Sequence, residues 1–204
     1  MAQIPDYHVH TEWSYDAPHG SMERSCEKAL EIGLPAIAFT DHADFVTVNP
    51  GQYCVDIVGY LEAVERCRSK FKGLRIHSGV ELGEPHWFLE ETRRVLSAGK
   101  LDHVLGSVHC VRLGDRIIDA SQLSKSPDVD PGAFAHAFFT ETLAMMCPSQ
   151  TVLGWWRELG GAAISFGSDA HDPAKVAAGF EQAAEMVEAV GFKPAAEPTA
   201  LWRR

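Results

Sequence analysis

The sequence predicts an α/β fold built around a mainly parallel sheet. Strand-like and helix-like stretches alternate along the 204 residues, which is the pattern of parallel strands connected by helices. Each of five strand-like stretches ends in, or runs directly into, His, Asp or Glu. Because the carboxyl ends of parallel strands meet at one edge of a sheet, these endings predict a single functional site there.

The predicted strands are short runs of apolar or alternating residues. They are Asp6–Thr11, Ala36–Thr40, Arg75–Glu81, His103–Val111 and Ala162–Gly167. Apolar residues at helical spacing predict five helices between and after them. The helices cover Met22–Leu30 with Ser21 as N-cap, Ile57–Phe71, Phe134–Met146, a segment capped by Thr151, and about Ala174–Val190. Pro173 and Gly191 mark the two ends of the last helix.

The composition indicates one globular α/β domain over residues 1–204, since 46% of the residues are hydrophobic and 23% are charged. No apolar run approaches the roughly 18 residues of a transmembrane helix. The N-terminus lacks the basic start and apolar core of a signal peptide, so we expect a cytoplasmic protein. Five cysteines without a C-x-x-C pair indicate reduced thiols.

The net charge also bears on the partners. It is -10, and an acidic chain without a basic stripe argues against nucleic-acid binding. Carboxylates that bind metal ions would account for part of the acidic excess. We therefore expect a small-molecule partner and neither a membrane nor a nucleic acid.

Histidines and carboxylates recur at the predicted strand ends. His8 and His10 lie two residues apart on the first strand, so their side chains project from the same face. The other strands run into Asp41 and His42, Glu81, His109, and Asp169 with His171. Imidazoles and carboxylates without thiolates suit Zn, Mn or Fe. The candidates are too many for one ion, so we expect two or three divalent ions, an arrangement that hydrolyses phosphate esters.

Each of these residues also has a purely structural alternative. His8 and His10 could be hydrogen-bonded histidines of a strand, and Asp169 and His171 could cap the final helix. The structural alternative is weakest for Glu81, because a buried carboxylate on an apolar strand is costly unless it is paired or bound to metal.

In this order and spacing, the motifs resemble the PHP (polymerase and histidinol phosphatase) superfamily, in particular its histidinol-phosphatase-like members. The resemblance rests on His8-Val9-His10, Thr40-Asp41-His42, Gly79-Val80-Glu81, Ser107-Val108-His109 and Gly167-Ser168-Asp169-Ala170-His171. It covers nearly the whole chain. It implies a distorted (β/α) barrel of PHP type, which has seven strands in relatives, with a three-metal site at its C-terminal mouth.

The resemblance also implies roles for individual residues. The first metal would be held by His8, His10, Glu81 and Asp169, the second by Asp16, His42 and His171, and the third by Glu81 and His109. Of these, Asp169, His171 and His42 would also act in catalysis. Arg112, just after His109, is a candidate contact for the phosphate of the substrate. Asp41 and Asp44 are interpreted as supporting or capping groups.

The chain departs from the family pattern in one region. Relatives have two further strands, one of them with a histidine for the third metal, and neither is found around Met146–Pro148. About five strands then remain, and the barrel should keep open edges that a second copy of the chain could cover. The third metal position should be filled weakly, or completed by water or a partner subunit.

These observations predict a hydrolase that cleaves a small phosphomonoester with metal-activated water. L-Histidinol phosphate, and with it a place in histidine biosynthesis, is the first candidate. Two alternatives remain open. One is a PHP phosphoesterase acting on nucleotides or oligonucleotides, and the other is a shortened, non-catalytic protein that binds metal.

Overall fold

A parallel sheet forms the centre of the computed structural model, which describes residues 4–46, 56–85, 87–142, 157 and 162–203. Its strands are β1 (Asp6–Val9), β2 (Ala36–Phe39), β3 (His42–Ala43), β4 (Arg75–Gly83) and β5 (His103–Ser107). Three helices connect them: α1 (Met22–Glu31), α2 (Ile57–Lys70) and α3 (Leu89–Ser97). All neighbouring strands in this sheet run parallel, as the sequence predicts.

The order of the strands brings three carboxyl ends together. One edge of β4 pairs first with β2 and then with β3, and its other edge pairs with β5. β1 pairs with the free edge of β2. In this register His42 lies directly opposite Glu81. Two predicted site residues are therefore neighbours on adjacent strands.

The helices α1 and α2 pack on one face of the sheet, and Tyr7, Ala36 and Ala38 form a separate small buried cluster. On α1, the Ser21 hydroxyl accepts the backbone N–H of Arg24 as predicted for an N-cap. Met22, Cys26 and Ala29 are buried as predicted, but Leu30 is exposed. The core on this face combines α1 and α2 with alternate residues of the strands, among them Val9, Ile37, Phe39, Ile76 and Val80.

The prediction of one strand over His103–Val111 is wrong. The chain turns after β5 and enters an antiparallel hairpin of β6 (Cys110–Leu113) and β7 (Arg116–Asp119). The cause is a buried carboxylate: Glu84 accepts the backbone N–H groups of His109 at 2.5 Å and Cys110 at 2.8 Å. Those two N–H groups are then no longer available for a continuous ladder with β4.

The hairpin and the helix that follows form a small core of their own. α4 (Pro131–Thr142) covers the predicted helix start, and the part beyond residue 142 lies outside the described residues. Val111 and Ile118 of the hairpin pack against Phe134 of α4. The helix predicted after Thr151 and the region Met146–Pro148 also lie outside the described residues.

The last predicted strand is shorter than expected and pairs differently. Only β8 (Ala163–Ile164) is regular, and it pairs antiparallel with β9 (Trp202–Arg203) at the C-terminus. Residues 166–170 nevertheless run alongside β1. The backbone N–H of Tyr7 donates to Phe166 O at 2.9 Å, that of Asp169 to His8 O at 2.7 Å, and that of His10 to Ala170 O at 2.9 Å. We call residues 166–170 the β1-edge segment.

The last helix begins later than predicted. A short 3₁₀ turn covers Pro173–Lys175, with Asp172 as its cap, and α5 covers only Phe180–Ala189. Gly191 lies just beyond its end, as the sequence predicts. Trp202 packs with Phe166 and Phe180 in a second core, so this part of the C-terminal tail is packed.

Within the described ranges the barrel does not close. β5 pairs only with β4, and the sheet stays open from β5 round to the β1-edge segment. The prediction of an α/β fold with about five barrel strands is confirmed. None of the described helices is long and apolar enough to cross a membrane.

Replacing Gly167 with Ala should destabilise the fold by about 1–3 kcal/mol, because overpacking of this order is typical of tight sites. A Cβ at this position would lie 2.3 Å from His8 Cβ and 3.1 Å from its backbone nitrogen. Gly73→Ala is the matched control, since its new Cβ would meet its nearest neighbour at 3.5 Å. Urea unfolding of both variants measures the effect, and equal midpoints would contradict close packing of the β1-edge segment against β1.

Candidate metal centre

The structure brings all eight predicted ligand residues into one cluster at the carboxyl ends of the strands. They form three adjoining groups whose donor atoms lie within 4.8 Å of one another. The groups are His8, His10, Glu81 and Asp169; His10, Asp16, His42 and His171; and His42, Glu81 and His109. Residues as far apart in the sequence as His8 and His171, 163 positions, therefore meet at one place.

The first group lies between β1, β4 and the β1-edge segment. His8 and His10 project from the same face of β1, and their Nε2 atoms are 3.1 Å apart. The Nε2 atom of His10 is 3.2 Å from Glu81 Oε2 and 3.0 Å from Asp169 Oδ1. The Nε2 atom of His8 lies 3.3 Å and 3.4 Å from the same two oxygens.

These distances fit a metal ion held by four ligands. Bonds of about 2.1 Å at tetrahedral angles place donor atoms about 3.4 Å apart. Five of the six separations among the four donor atoms are between 3.0 and 3.4 Å. Asp169 has a backbone φ of 52°, a left-handed conformation that Asp tolerates better than most residues and that is frequent at functional sites.

The second group is centred on Asp16. Its Oδ2 atom lies 3.2 Å from His42 Nε2 and 3.0 Å from His171 Nε2. The Nδ1 atom of His171 donates to the backbone carbonyl of Asp169 at 2.9 Å, since a carbonyl oxygen can only accept. In the neutral ring the lone pair of His171 is therefore on Nε2, where a cation could bind between this nitrogen and Asp16.

The third group uses the other oxygen of Glu81. Oε1 lies 3.2 Å from His109 Nε2, and Oε2 lies 3.2 Å from His42 Nδ1. The Nδ1 atom of His109 is 3.1 Å from Asp44 Oδ1. With His42 Nε2 already facing Asp16, this group has fewer donors of its own than the other two.

Among the described residues, two buried atoms in the cluster find no hydrogen-bond partner with acceptable geometry: Glu81 Oε2 and His42 Nδ1. Glu81 is 4% exposed, so an unpartnered carboxylate oxygen there is costly. Three imidazole nitrogens surround that oxygen at 3.2–3.3 Å. This arrangement fits divalent cations of the Zn, Mn or Fe type, which take imidazole and carboxylate ligands.

The pKa values of the clustered side chains also indicate a need for positive charge at this site. Burial alone would raise the pKa of Glu81, but the adjacent imidazoles of His10 and His109 hold this pKa well below its usual value. Burial opposes protonation of His10, yet the adjacent carboxylates of Asp169 and Glu81 raise its pKa to about 10. Burial is likewise outweighed at His109, where hydrogen bonds to Asp44 and Glu81 raise the pKa to about 11. The buried carboxylates require positive charge beside them, as protons or as metal ions.

Several residues that support the cluster were not singled out from the sequence. Ser14 contacts His10 Nδ1 at 2.8 Å, Tyr15 donates to Asp44 at 3.4 Å, and Glu84 fixes the turn that places His109. A Cβ at Gly83 would lie 2.0 Å from Asp44 Oδ1, so only glycine fits there. Single polar residues in loops have no periodicity, and only the structure reveals their contacts.

The cluster lies at the base of a cavity of about 1000 Å³. Among the described residues its wall combines Asp119, Ser121 and Gln122 with apolar side chains, which include Phe138, Ile164, Phe166, Phe180 and Met186. Arg112 is not part of this wall. Its guanidinium lies over the ring of Trp87, 4.1 Å from the ring centroid, so the structure does not bring the predicted phosphate contact to the cavity.

Comparisons with known proteins identify the family of the chain. The family model of the PHP domain matches residues 6–190. A histidinol-phosphatase of Lactococcus lactis is 31% identical over 112 residues, which are 54% of this chain and 40% of that protein. The DNA polymerase/3'-5' exonuclease PolX of Bacillus subtilis is 28% identical over 105 residues, 51% of this chain and 18% of that protein. The chain thus matches well under half the length of these relatives.

A solved structure has the same fold. The histidinol phosphate phosphatase of Lactococcus lactis, crystallised with zinc, L-histidinol and phosphate, superposes with a TM-score of 0.72 at 17% identity. The superposition covers 94% of this chain and 95% of that one. At this identity the likeness shows the fold alone.

Metal binding should release protons at pH 7. The pKa values of about 10 for His10 and about 11 for His109 keep both rings protonated in the metal-free chain at neutral pH, whereas a metal ion requires neutral imidazole. The apparent affinity of the chain for zinc should therefore rise as the pH increases from 6 to 8. Calorimetric titration with zinc in buffers of different ionisation enthalpy measures the release, and binding without net proton release would contradict this electrostatic account.

Proposed function

The chain belongs to the PHP domain family, and from this premise we propose that it is a metal-dependent phosphomonoesterase acting on a small phosphorylated amino alcohol such as L-histidinol phosphate. The observation that supports the proposal best is the convergence of eight imidazole and carboxylate side chains, seven of which line one cavity. Adjoining cation sites that share carboxylates are the arrangement used for in-line hydrolysis of phosphate esters.

We assign three cation positions to the three groups. The first would use His8, His10, Glu81 and Asp169, the second Asp16, His42 and His171, and the third Glu81 with His109. We expect the first two to be filled tightly and the third weakly, since His42 cannot offer both ring nitrogens at once while neutral. Bound cations would supply an activated water and neutralise the charge on the phosphoryl oxygens.

The side chains of the cluster have distinct roles in this proposal. Glu81 lies between the first and third groups and keeps both oxygens among imidazole nitrogens. Asp169 is the more exposed carboxylate of the first group, with 59% of its side chain exposed, and it faces the cavity. We assign to it the acceptance of the proton from the attacking water. His42 and His171 act through the second group, which they complete with Asp16.

The charge of the cavity favours a cationic leaving group. No Lys or Arg is among the described residues of its wall. The carboxylate of Asp119 lies in the wall beside Ser121 and Gln122. A leaving group with a protonated amine would be attracted to this carboxylate, whereas a neutral leaving group such as the nucleoside of AMP would gain no such attraction. Arg112 has no role in this assignment.

L-Histidinol phosphate should be hydrolysed in the presence of manganese or zinc, with a kcat/KM at least about tenfold above that for AMP. His8→Ala and Asp169→Ala should each lower kcat by more than about 100-fold, because even supporting residues of metal sites cost 10–100-fold. Phosphate release measures both effects.

His136→Ala is the matched control for these variants, since His136 is an exposed residue of α4 that belongs to none of the three groups. It should keep the activity of the unmodified chain. Hydrolysis of oligonucleotides but not of the amino-alcohol phosphate would favour the polymerase-type alternative suggested by the PolX relative. Zinc binding without turnover of any phosphate ester would favour a non-catalytic protein.

A further inference from the structure

The ring of His10 has a contact that none of the proposed ligand assignments explains. We propose that the Ser14 hydroxyl, oriented by Asp41, is a positioning group that keeps the proton of His10 on Nδ1 and its lone pair on Nε2. This inference rests on the proposed use of His10 as a metal ligand. It adds two residues that neither coordinate metal nor reach substrate.

The Ser14 hydroxyl makes three hydrogen-bond contacts. Ser14 Oγ donates to Asp41 Oδ1 at 2.7 Å and lies 2.8 Å from His10 Nδ1. The same oxygen accepts the backbone N–H of His42 at 3.2 Å. Ser14 therefore connects three residues, of which His10 belongs to the first ligand group and His42 to the second.

The directions of these hydrogen bonds follow from what each group can donate. Asp41 also accepts the backbone N–H of Thr11 at 2.7 Å and the Thr11 hydroxyl at 2.9 Å. A carboxylate with three donors accepts in all three bonds. The single hydrogen of the Ser14 hydroxyl is thus used toward Asp41, so only a lone pair of Oγ remains for the His10 ring. His10 Nδ1 must then be the donor.

Burial leaves these hydrogen bonds without an alternative partner. His10 and Asp41 are fully buried and Ser14 nearly so, so water cannot replace a lost partner. With the proton on Nε2 instead, the Nδ1 lone pair would face the oxygen lone pair of Ser14, and the Nε2–H would occupy the direction of the first cation. The tautomer with its proton on Nε2 is therefore disfavoured by the contacts of both ring nitrogens.

His171 provides an internal reference. Its Nδ1–H donates to the backbone carbonyl of Asp169, so its tautomer is set without Ser14. The rings of His10 and His171 stack at 4.1 Å between centroids. A variant at Ser14 should alter the Nδ1–H of His10 and leave that of His171 unchanged.

Ser14→Ala should weaken zinc binding by about 10–100-fold, the usual effect of removing a partner of a ligating histidine. Ser25→Ala is the matched control, because Ser25 is a fully buried serine of α1 whose hydroxyl has no hydrogen-bond partner in the described part of the chain. Competition with a chromophoric chelator measures zinc affinity without any turnover. In nitrogen-15 NMR spectra of the zinc-loaded protein, the slowly exchanging Nδ1–H of His10 should be present, and Ser14→Ala should lose it.

Equal zinc affinity of Ser14→Ala and the unmodified chain, or an unchanged His10 signal in that variant, would overturn the inference. Neither result depends on substrate. A chain that binds zinc, shows the Ser14 effect and hydrolyses no phosphate ester would refute the proposed function and leave this inference intact. Failure of the unmodified chain to bind zinc would overturn both.

Discussion

The burial of one carboxylate, Glu81, constrains the rest of the site. A charged group on the central strand of a parallel sheet is stable only if positive charge lies beside it. Here the register of β3 against β4 places His42 opposite Glu81, and the spacing of β1 brings His8 and His10 to the same oxygen. Cations held between these groups would remove the cost of burial, so fold and metal chemistry depend on the same contacts.

A second layer of buried polar groups holds the ligands in place. Asp41 holds Ser14 and Thr11, Asp44 lies against His109, and Glu84 fixes the turn after β5. Apolar residues of the sheet and the helices form the buried core next to these groups, and close packing of this kind restricts side-chain movement. Ligands set in this way keep their geometry before any cation binds, which favours tight and selective binding.

The sequence was sufficient to predict the features that follow from the alternation of side chains along a strand or from the common direction of parallel strands. The alternation along β1 placed His8 and His10 on one face, and the strand ends placed Glu81, His109, Asp169 and His171 near one another. The break after β5 was missed because the Glu84 carboxylate replaces ladder partners, which no apolar pattern reveals. The short β8 pairs with the distant C-terminus, and such long-range pairing is not encoded locally. Arg112 stacks on Trp87 because an exposed guanidinium binds the nearest aromatic face.

The central claim is that Glu81 lies between cations held by groups from distant parts of the chain. Anomalous diffraction at the zinc absorption edge, from crystals grown with zinc, tests it most directly. The account predicts strong peaks at the first group, between His10 and Asp169, and at the second, between Asp16 and His171, with a weaker peak beside His109. Zinc bound only elsewhere on the surface, with Glu81 paired to protonated imidazoles, would contradict it.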